Sequence, residues 1–217
     1  MGDRKVLLSG KWRIAWVFVA LALLVASVFV FPLPQARADS CADIDVVVAR
    51  GTGEPGYLGS EVGDPLYGIL QDRLGVSTDA YPVNYPADLT FNIGAGSADL
   101  VNHLTAQAAS CPAQRFILVG YSQGAAVVHA ALGTGVVAWY PGRVQLPDYL
   151  GDKVAAILLF GDPMRALGWS VPDQFLGRTG DWCMAGDPIC GGGVDASQHT
   201  AYASDLGMAA NFAADHV

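Results

Sequence analysis

One serine of this sequence stands where its hydroxyl could act as a nucleophile. Ser122 is the centre of Gly120-Tyr-Ser-Gln-Gly124, which follows an apolar run and precedes an alanine-rich segment of helical character. Between a strand and a helix, G-x-S-x-G holds the serine in a strained backbone conformation from which its hydroxyl projects. Side chains at the two glycine positions would collide with the adjacent helix and strand. The pattern predicts a nucleophilic Ser122; the simpler alternative is a serine that only caps a helix.

A nucleophilic serine needs a general base, and the sequence offers four histidines. His129 lies seven residues beyond Ser122, about two turns along the same predicted helix, so we expect it to be a packed helix residue. His103 precedes the nucleophile, and His216 is next to the last residue of the sequence. His199 follows a glycine-rich loop, and the chain order in α/β hydrolases is serine, acid, histidine. We therefore predict that His199 is the base.

The third group of such a site is an acid that orients the histidine. The aspartates between Ser122 and His199 include Asp162, Asp173, Asp181, Asp187 and Asp195. Asp162 directly follows an apolar run in Phe-Gly-Asp-Pro, whereas Asp187 lies in a short loop between two cysteines. The residues by themselves leave Asp162 and Asp187 as alternatives.

The elements that would position these groups alternate along the chain. Short apolar runs predict strands over 44–49, 80–85, 115–120 and 154–160, with a fifth strand near 177–184. Helical patterns cover 62–74, 97–109, 124–133 and 200–214. Strands that are apolar throughout and alternate with helices indicate a parallel sheet covered on both faces. We predict an α/β fold, a three-layer α/β/α sandwich around a mostly parallel five-stranded sheet, with its chemistry at the carboxyl ends of the strands.

The first 38 residues read as a secretory signal peptide. Residues 1–13 are basic, residues 14–31 carry no charge, and Ala36-Arg-Ala38 offers the small-x-small pattern of a cleavage site. The alternative is an uncleaved segment that keeps the protein at the membrane or cell envelope. Residues 39–217 are then one exported domain. Its four cysteines, Cys41, Cys111, Cys183 and Cys190, predict two disulfides rather than a zinc site, because Cys183-x6-Cys190 lacks zinc-finger spacing.

Composition excludes several classes of function. The chain is 52% hydrophobic and 15% charged, which excludes intrinsic disorder. Residues 39–217 contain 7 basic and 19 acidic residues, a balance that argues against nucleic acid as a partner. A G-x-G-x-x-G pattern over 51–56 would suit a dinucleotide, but the loop continues as coil instead of opening into a helix. No motif for a metal, a nucleotide or another cofactor occurs, so we expect none.

Several motifs in order resemble the cutinase family, especially the cutinase-like esterases of actinobacteria. They are Ala49-Arg-Gly-Thr52 after the first strand, the G-x-S-x-G pattern, Cys183-x3-Asp187-x2-Cys190, and His199 shortly after it. The resemblance covers essentially all of residues 41–215.

The resemblance adds roles that the residues alone leave open. It implies that Asp187 is the acid and that Asp162 is structural. It implies the disulfides Cys41–Cys111 and Cys183–Cys190. It also implies an oxyanion hole made by the backbone N–H groups of Thr52 and Gln123. The best-known members carry serine where this chain has Thr52, a change that keeps both the backbone donor and the hydroxyl.

The expectation is a secreted, monomeric serine esterase that hydrolyses carboxylic esters, such as short- or medium-chain acyl esters, a cutin-like polyester or a lipid, through an acyl-enzyme. The stretches between residues 160, 187 and 199 are too short for a helical cap, so we expect an open, lidless site with Tyr85, Leu89, Phe91 and Val194 at its rim. The alternatives are an acyltransferase that uses the same acyl-enzyme, and a secreted lipid-binding module without activity.

Overall fold

The computed structural model describes residues 41–217. The helices and strands have these bounds in chain order: β1 Ile44–Ala49, α1 Gly63–Arg73, β2 Thr78–Pro82, α2 Ile93–Ser110, β3 Arg115–Tyr121, α3 Gln123–Leu132, α4 Asp148–Gly151, β4 Val154–Phe160, α5 Pro163–Ala166, α6 Asp173–Leu176, β5 Thr179–Trp182 and α7 Leu206–Ala214. Short 3₁₀ turns lie at Gly135–Val137, Ala196–Thr200 and Tyr202–Ser204. The signal-peptide prediction for residues 1–38 falls outside the described residues.

The five strands form one sheet in the order β2-β1-β3-β4-β5, and each of the four pairings is parallel. The predicted α/β sandwich is confirmed. Strands β1 and β4 are buried along their whole length, and β3 is buried from its second residue on, which explains why their sequences are apolar throughout.

Two apolar clusters cover the two faces of the sheet. On one face, α2 and α3 pack through residues such as Leu100, Leu104 and Val127. On the other face, α1 and α7 pack beside each other through residues such as Leu66 and Ala209. Alternate residues of each central strand point into the two clusters, so the sheet is the middle layer of three.

The structure corrects some predicted boundaries. Strand β2 begins at Thr78 and ends at Pro82, earlier than the predicted 80–85, because it is a half-exposed edge strand whose pairing is not marked by an apolar run. The predicted last helix over 200–214 is divided into 3₁₀ turns and the shorter α7. The fifth strand, expected near 177–184, occupies Thr179–Trp182.

Helix α2 starts four residues before the predicted Ser97. Its N-cap is Asn92, whose side chain accepts a hydrogen bond from the Ala95 N–H at 3.2 Å. The sequence placed the start at Ser97 because Ser-Ala-Asp resembles a helix cap there. The first turn of the helix contains Gly94, where glycine is required because a Cβ would lie 1.9 Å from the Pro141 carbonyl oxygen.

The order of the strands determines where a ligand can bind. From β1 the chain moves to β2 on one side and then returns to β3 on the other, so the loops that follow β1 and β3 diverge at the carboxyl ends of these neighbours. A crevice at such a switch point is the usual binding position in open parallel sheets. Thr52 follows β1 and Ser122 follows β3, so both lie at this edge.

Within residues 41–217, none of the helices combines the length and the apolar character needed to cross a bilayer.

We expect Gly124→Ala to be strongly destabilising, because a Cβ at this position would lie 1.8 Å from the Ala49 carbonyl oxygen, where α3 crosses the end of β1. Forcing the two backbones apart should lower the free energy of unfolding by about 3 kcal/mol or more. Gly68→Ala is the control, since Gly68 lies exposed inside α1 with no atom within 4 Å of the added Cβ. It should raise stability by about 0.5–1 kcal/mol. Urea unfolding of both variants measures this, and equal effects would contradict the steric explanation.

Candidate active site

Ser122 lies at the tight turn between β3 and α3 with φ 54° and ψ −117°. A positive φ is unfavourable for a residue with a side chain, and such strain is found where the surrounding structure enforces it. Here the Ser122 N–H donates to the Phe160 carbonyl at the end of β4, at 2.8 Å. A Cβ at Gly120 would lie 2.7 Å from the Cα of Ala125, so the turn needs glycine there. The sequence-based expectation for this turn therefore agrees with its geometry.

The structure brings Ser122, His199 and Asp187 together. The Oγ of Ser122 is 2.8 Å from Nε2 of His199, and Nδ1 of the same ring is 2.8 Å from Oδ2 of Asp187. A carboxylate only accepts hydrogen bonds, so Nδ1 carries the proton and Nε2 is left to accept from the serine hydroxyl. The three residues come from a strand end and two loops that are up to 77 positions apart in the sequence.

Asp187 is fully buried. Burial by itself would raise the pKa of Asp187, but hydrogen bonds from the Tyr202 hydroxyl, from His199 and from the Ile189 N–H outweigh this effect and lower the pKa below its ordinary value of 3.8. The carboxylate is therefore ionised at neutral pH and can stabilise a protonated imidazole.

Tyr121 and Gly161 fix the position of the His199 ring. The Tyr121 hydroxyl donates to the His199 carbonyl at 2.6 Å, and the two rings stack with centroids 5.2 Å apart. On the other side the ring lies against Gly161, where a Cβ would come within 2.6 Å of Cε1 of His199. Neither residue was assigned a role from the sequence, although Tyr121 lies inside the motif that was recognised.

The other predicted acid and the other histidines lie elsewhere. Asp162 accepts from His129 Nε2 at 2.9 Å and from the Met164 N–H at 2.9 Å, so it caps α5 and binds a buried histidine instead of His199. His103 contacts Asp45 at 2.7 Å, and His216 contacts backbone carbonyls. All three of these histidines have structural contacts, as expected for His129.

Thr52 and Gln123 face the space in front of Ser122. Among the described residues, neither backbone N–H has a hydrogen-bond acceptor, so both could bind an oxyanion. The buried Gln123 side chain links the surrounding loops: it accepts from Thr52 Oγ1 and donates to the Asp88 carbonyl, each at 3.2 Å. This link was not recognised in the sequence.

Glu54 holds the loop that carries Thr52. Its carboxylate accepts from the backbone N–H groups of Gly51 and Glu61. Burial raises the pKa of Glu54, and these backbone donors oppose the effect. The loop is therefore shaped around a partly buried carboxylate at the edge of the site.

A pocket of about 580 Å³ opens beside Ser122 and His199. Its wall contains the predicted rim residues Leu89 and Phe91, and it adds apolar residues that the sequence did not single out: Ile93, Ala126, Tyr140, Met164 and Ile189. Two rim predictions are wrong. Tyr85 is buried, with its hydroxyl on the Arg50 carbonyl, and Val194 is 99% exposed and is not part of the pocket wall.

The comparison with family models decides the family: the cutinase model matches residues 40–217. The chain belongs to the cutinase family. Its relatives include phospholipase Culp4 of Mycobacterium tuberculosis, which is 37% identical over 96% of each chain. Another is the probable carboxylesterase Culp3 of the same organism, 38% identical over 84% of this chain and 71% of that protein. The cutinase of Botryotinia fuckeliana is 35% identical over 88% of this chain and 91% of that one.

Solved structures of cutinases and related esterases have the same fold. The Trichoderma reesei cutinase in complex with a phosphonate inhibitor has a TM-score of 0.67 and 33% identity, covering 81% of this chain and 76% of that one. An acetylxylan esterase has a TM-score of 0.70 and 27% identity, covering 82% of this chain and 99% of that one. This member of the cutinase family is accordingly a serine hydrolase of carboxylic esters.

Two disulfides are present, with the pairing that the family resemblance implies: Cys41–Cys111, and Cys183–Cys190, which lie seven positions apart and enclose Asp187. The Asp187 carbonyl accepts from the Gly191 and Gly193 N–H groups at 3.2 and 3.1 Å. The short loop is thus closed both by a covalent bond and by backbone hydrogen bonds. In the described part of the chain, no cluster of three or more His, Cys, Asp or Glu side chains could hold a metal ion.

The lowered pKa of Asp187 predicts a pH-dependent contribution to stability. The unfolded chain would protonate this group near its ordinary value of 3.8, whereas the folded chain does so only at lower pH. Its stabilising effect is therefore present above that value and is lost as the pH falls through the folded pKa. Asp187→Asn should melt below the wild type at pH 6, and the difference should shrink below about pH 4. Thermal melts from pH 6 to 2.5 measure it; Asp72→Asn, on the exposed side of α1, controls for net charge. A difference that stays constant would contradict a stabilising contribution from the lowered pKa of Asp187.

Proposed function

We propose that Ser122 is the nucleophile of this esterase, His199 its general base and Asp187 the acid that orients the imidazole. The observation that carries the proposal is the continuous pair of 2.8 Å contacts, from Ser122 Oγ through the His199 ring to Asp187, at the wall of an apolar pocket. A hydroxyl, an imidazole and a buried carboxylate in this order are the elements of acyl transfer through a covalent intermediate.

In the first half of the reaction, Ser122 Oγ bonds to the ester carbonyl carbon as its proton moves to Nε2 of His199. The carbonyl oxygen becomes an oxyanion, for which the N–H groups of Thr52 and Gln123 are the proposed donors. The bond to the alcohol oxygen then breaks, and His199 returns the proton to the departing alcohol. In the second half, water takes the place of the alcohol: its oxygen bonds to the acyl carbon as His199 takes its proton. The acyl–serine bond then breaks, and His199 returns the proton to Ser122 Oγ, which leaves a carboxylic acid and the free enzyme.

The size and lining of the pocket suit the acyl part of an ester whose acyl chain is short or of medium length. A volume of about 580 Å³ is in the range of sites that enclose a small organic ligand. Its wall is mainly apolar, with Glu54 and Glu61 among the lining residues, and exposed Leu89 and half-exposed Phe91 extend it to the surface. The names of the relatives refer to different esters, so the family does not fix the substrate. From the pocket we propose carboxylic esters with short or medium acyl chains as the substrate class. We also propose that no lid covers the pocket, so that soluble substrates can enter it.

We further propose that the protein is exported and that residues 1–38 are removed. Two disulfides are typical of oxidising compartments outside the cytosol. The basic and then uncharged start of the sequence, followed by Ala36-Arg-Ala38, supports the same proposal.

Ser122→Ala tests the assignment of the nucleophile. Turnover of soluble p-nitrophenyl butyrate should fall by about 10⁶, as expected when a triad serine is removed, with the melting temperature retained. Ser204→Ala, at an exposed position outside the pocket, should leave turnover unchanged. A p-nitrophenyl alkylphosphonate should add its phosphonyl group to wild-type Ser122 with release of nitrophenol, which peptide mass spectrometry locates.

Activity of Ser122→Ala within tenfold of wild type, or labelling at another residue, would refute the assignment. The same assay resolves the substrate class. A series of p-nitrophenyl esters of increasing acyl length, kept below their solubility limits, should show activity without an interface. Phosphatidylcholine vesicles test a phospholipid as substrate, and an added acceptor alcohol measures acyl transfer against hydrolysis.

The two disulfides should have different effects on stability and activity. Cys41–Cys111 closes a loop of 70 positions and Cys183–Cys190 one of 7, for which chain entropy gives roughly 4 and 2–3 kcal/mol of stability. The short loop carries Asp187, and a catalytic arrangement tolerates displacements of only ~0.5 Å. We expect Cys183→Ser/Cys190→Ser to lose far more activity than its fall in melting temperature explains, and Cys41→Ser/Cys111→Ser to show the reverse. If activity follows the folded fraction in both variants, the short disulfide has no catalytic role.

A further inference from the structure

Tyr202 contacts the proposed acid from inside the protein. It begins the 3₁₀ turn three residues after His199, and its side chain is 1% exposed. Its hydroxyl donates to Oδ2 of Asp187 at 2.6 Å, the same oxygen that accepts from Nδ1 of His199 at 2.8 Å. The other oxygen, Oδ1, accepts from the Ile189 N–H at 2.7 Å. Three donors therefore hold the carboxylate, and two of them converge on one oxygen.

The Tyr202 hydroxyl has a defined direction. The Met184 N–H donates to it at 3.4 Å, and Sγ of Cys190 lies 3.3 Å away. With a backbone donor on the oxygen, the hydroxyl proton is directed to Asp187. Burial, together with the hydrogen bond to Asp187, raises the pKa of Tyr202 well above its ordinary value, so the phenol is a neutral donor at neutral pH.

The ring of Tyr202 is fixed by contacts that do not involve its hydroxyl. It meets Phe160 and Tyr121 edge to face, with centroids 5.8 and 5.9 Å apart, and it is also perpendicular to the His199 ring at 6.5 Å. These aromatic contacts belong to the core on one face of the sheet. A phenylalanine at this position would keep them and lose only the hydrogen bond to Asp187.

We propose that Tyr202 is a positioning residue of this esterase, whose hydroxyl holds the Asp187 carboxylate in the orientation in which Oδ2 accepts from His199. The proposal rests on the roles proposed above for Asp187 and His199. Without the hydroxyl, Oδ2 keeps a single donor, and the carboxylate can rotate about its bond to Cβ. The carboxylate also becomes more basic, so it binds the protonated imidazole more strongly.

Two consequences separate positioning from simple packing. A carboxylate that can rotate holds the imidazole less precisely toward Ser122, which lowers kcat more than it changes KM. A more basic carboxylate raises the pKa at which His199 loses its proton, so the acid limb of the kcat/KM profile moves to higher pH. The other titratable groups near Asp187 and His199 are Tyr121, Glu54 and Glu61, and a substitution at Tyr202 leaves all three in place.

The test is Tyr202→Phe, assayed with p-nitrophenyl butyrate over the full pH range. We expect kcat to fall about tenfold, as for loss of a hydrogen bond to a charged group, with KM within about twofold and the acid limb at higher pH. Tyr81→Phe is the matched control, because its hydroxyl also donates to an aspartate, Asp99 Oδ2 at 3.0 Å, on the far side of the sheet from β5. It should match the wild type in both measurements. A Tyr202→Phe variant with wild-type kcat and an unmoved acid limb would overturn the proposal.

A double-mutant cycle with Asp187→Asn shows whether the hydroxyl acts through Asp187. In the Asn background, Tyr202→Phe should change kcat by less than about twofold, because residues that act as one unit are not additive. An undiminished effect would mean that the hydroxyl acts elsewhere, which overturns the proposal. If instead Asp187→Asn alone keeps nearly full activity, the assignment of the acid is wrong, which is a distinct result.

A second variant covers the case in which Tyr202→Phe does not fold. Site-specific 3,5-difluorotyrosine at position 202 keeps the ring and the hydroxyl but makes the phenol a stronger donor. A stronger donor lowers the basicity of Asp187, so the acid limb should move to lower pH, opposite to the effect of phenylalanine. An acid limb that stays in place, or moves to higher pH, would overturn the proposal.

Discussion

The buried carboxylate of Asp187 is the group on which the site depends. A fully buried carboxylate is strongly unfavourable unless donors replace the water that it has lost. Its donors are the Ile189 N–H, His199 and Tyr202, all within 15 positions of the aspartate. The segment from 183 to 202 therefore has to fold around this one charge, and the same contacts that satisfy the charge place the imidazole beside Ser122.

The site joins a rigid half to a loop half. Ser122 lies between the buried strand β3 and the buried helix α3, and a strained conformation persists there because the sheet and the Phe160 carbonyl leave it no alternative. Asp187 and His199 lie on loops, which the parallel sheet does not hold. A short disulfide, the hydrogen bonds of the loop, and the contacts of Tyr121 with His199 supply the rigidity that regular structure gives to the other half.

Histidine–aspartate contacts occur at several places in the described residues. His129 and Asp162 are as close as His199 and Asp187, yet the His129 side chain is 1% exposed and that of His199 is 18% exposed. An ester can reach only a histidine beside the pocket. Asp162 was a reasonable candidate from its place after a strand, but its partner in the folded protein is His129 on α3, and only the packed structure shows this contact.

Local features of the sequence were enough for the sheet, the turn at Ser122 and the longer helices. Apolar runs mark buried parallel strands, and the order strand, G-x-S-x-G, helix marks the turn at Ser122, because both patterns are visible in residues adjacent in the chain. Family resemblance, a property of the whole sequence, was needed to prefer Asp187. The predicted bounds of the edge strand β2 and the predicted start of α2 were wrong, because pairing at a sheet edge and close helix packing have little effect on local composition.

The tertiary structure alone decided which side chains meet across the loops. The pocket wall combines residues that follow all five strands, so no single stretch of sequence identifies Tyr140, Met164 or Ile189 as part of it. The sequence around Tyr202 is that of an ordinary helix. Its hydrogen bond to the buried Asp187 carboxylate exists only because folding brings the two segments together. The sequence determined the types of groups available for chemistry; contacts between residues far apart in the chain determined which of them share a site, because burial and hydrogen bonding depend on neighbours in space.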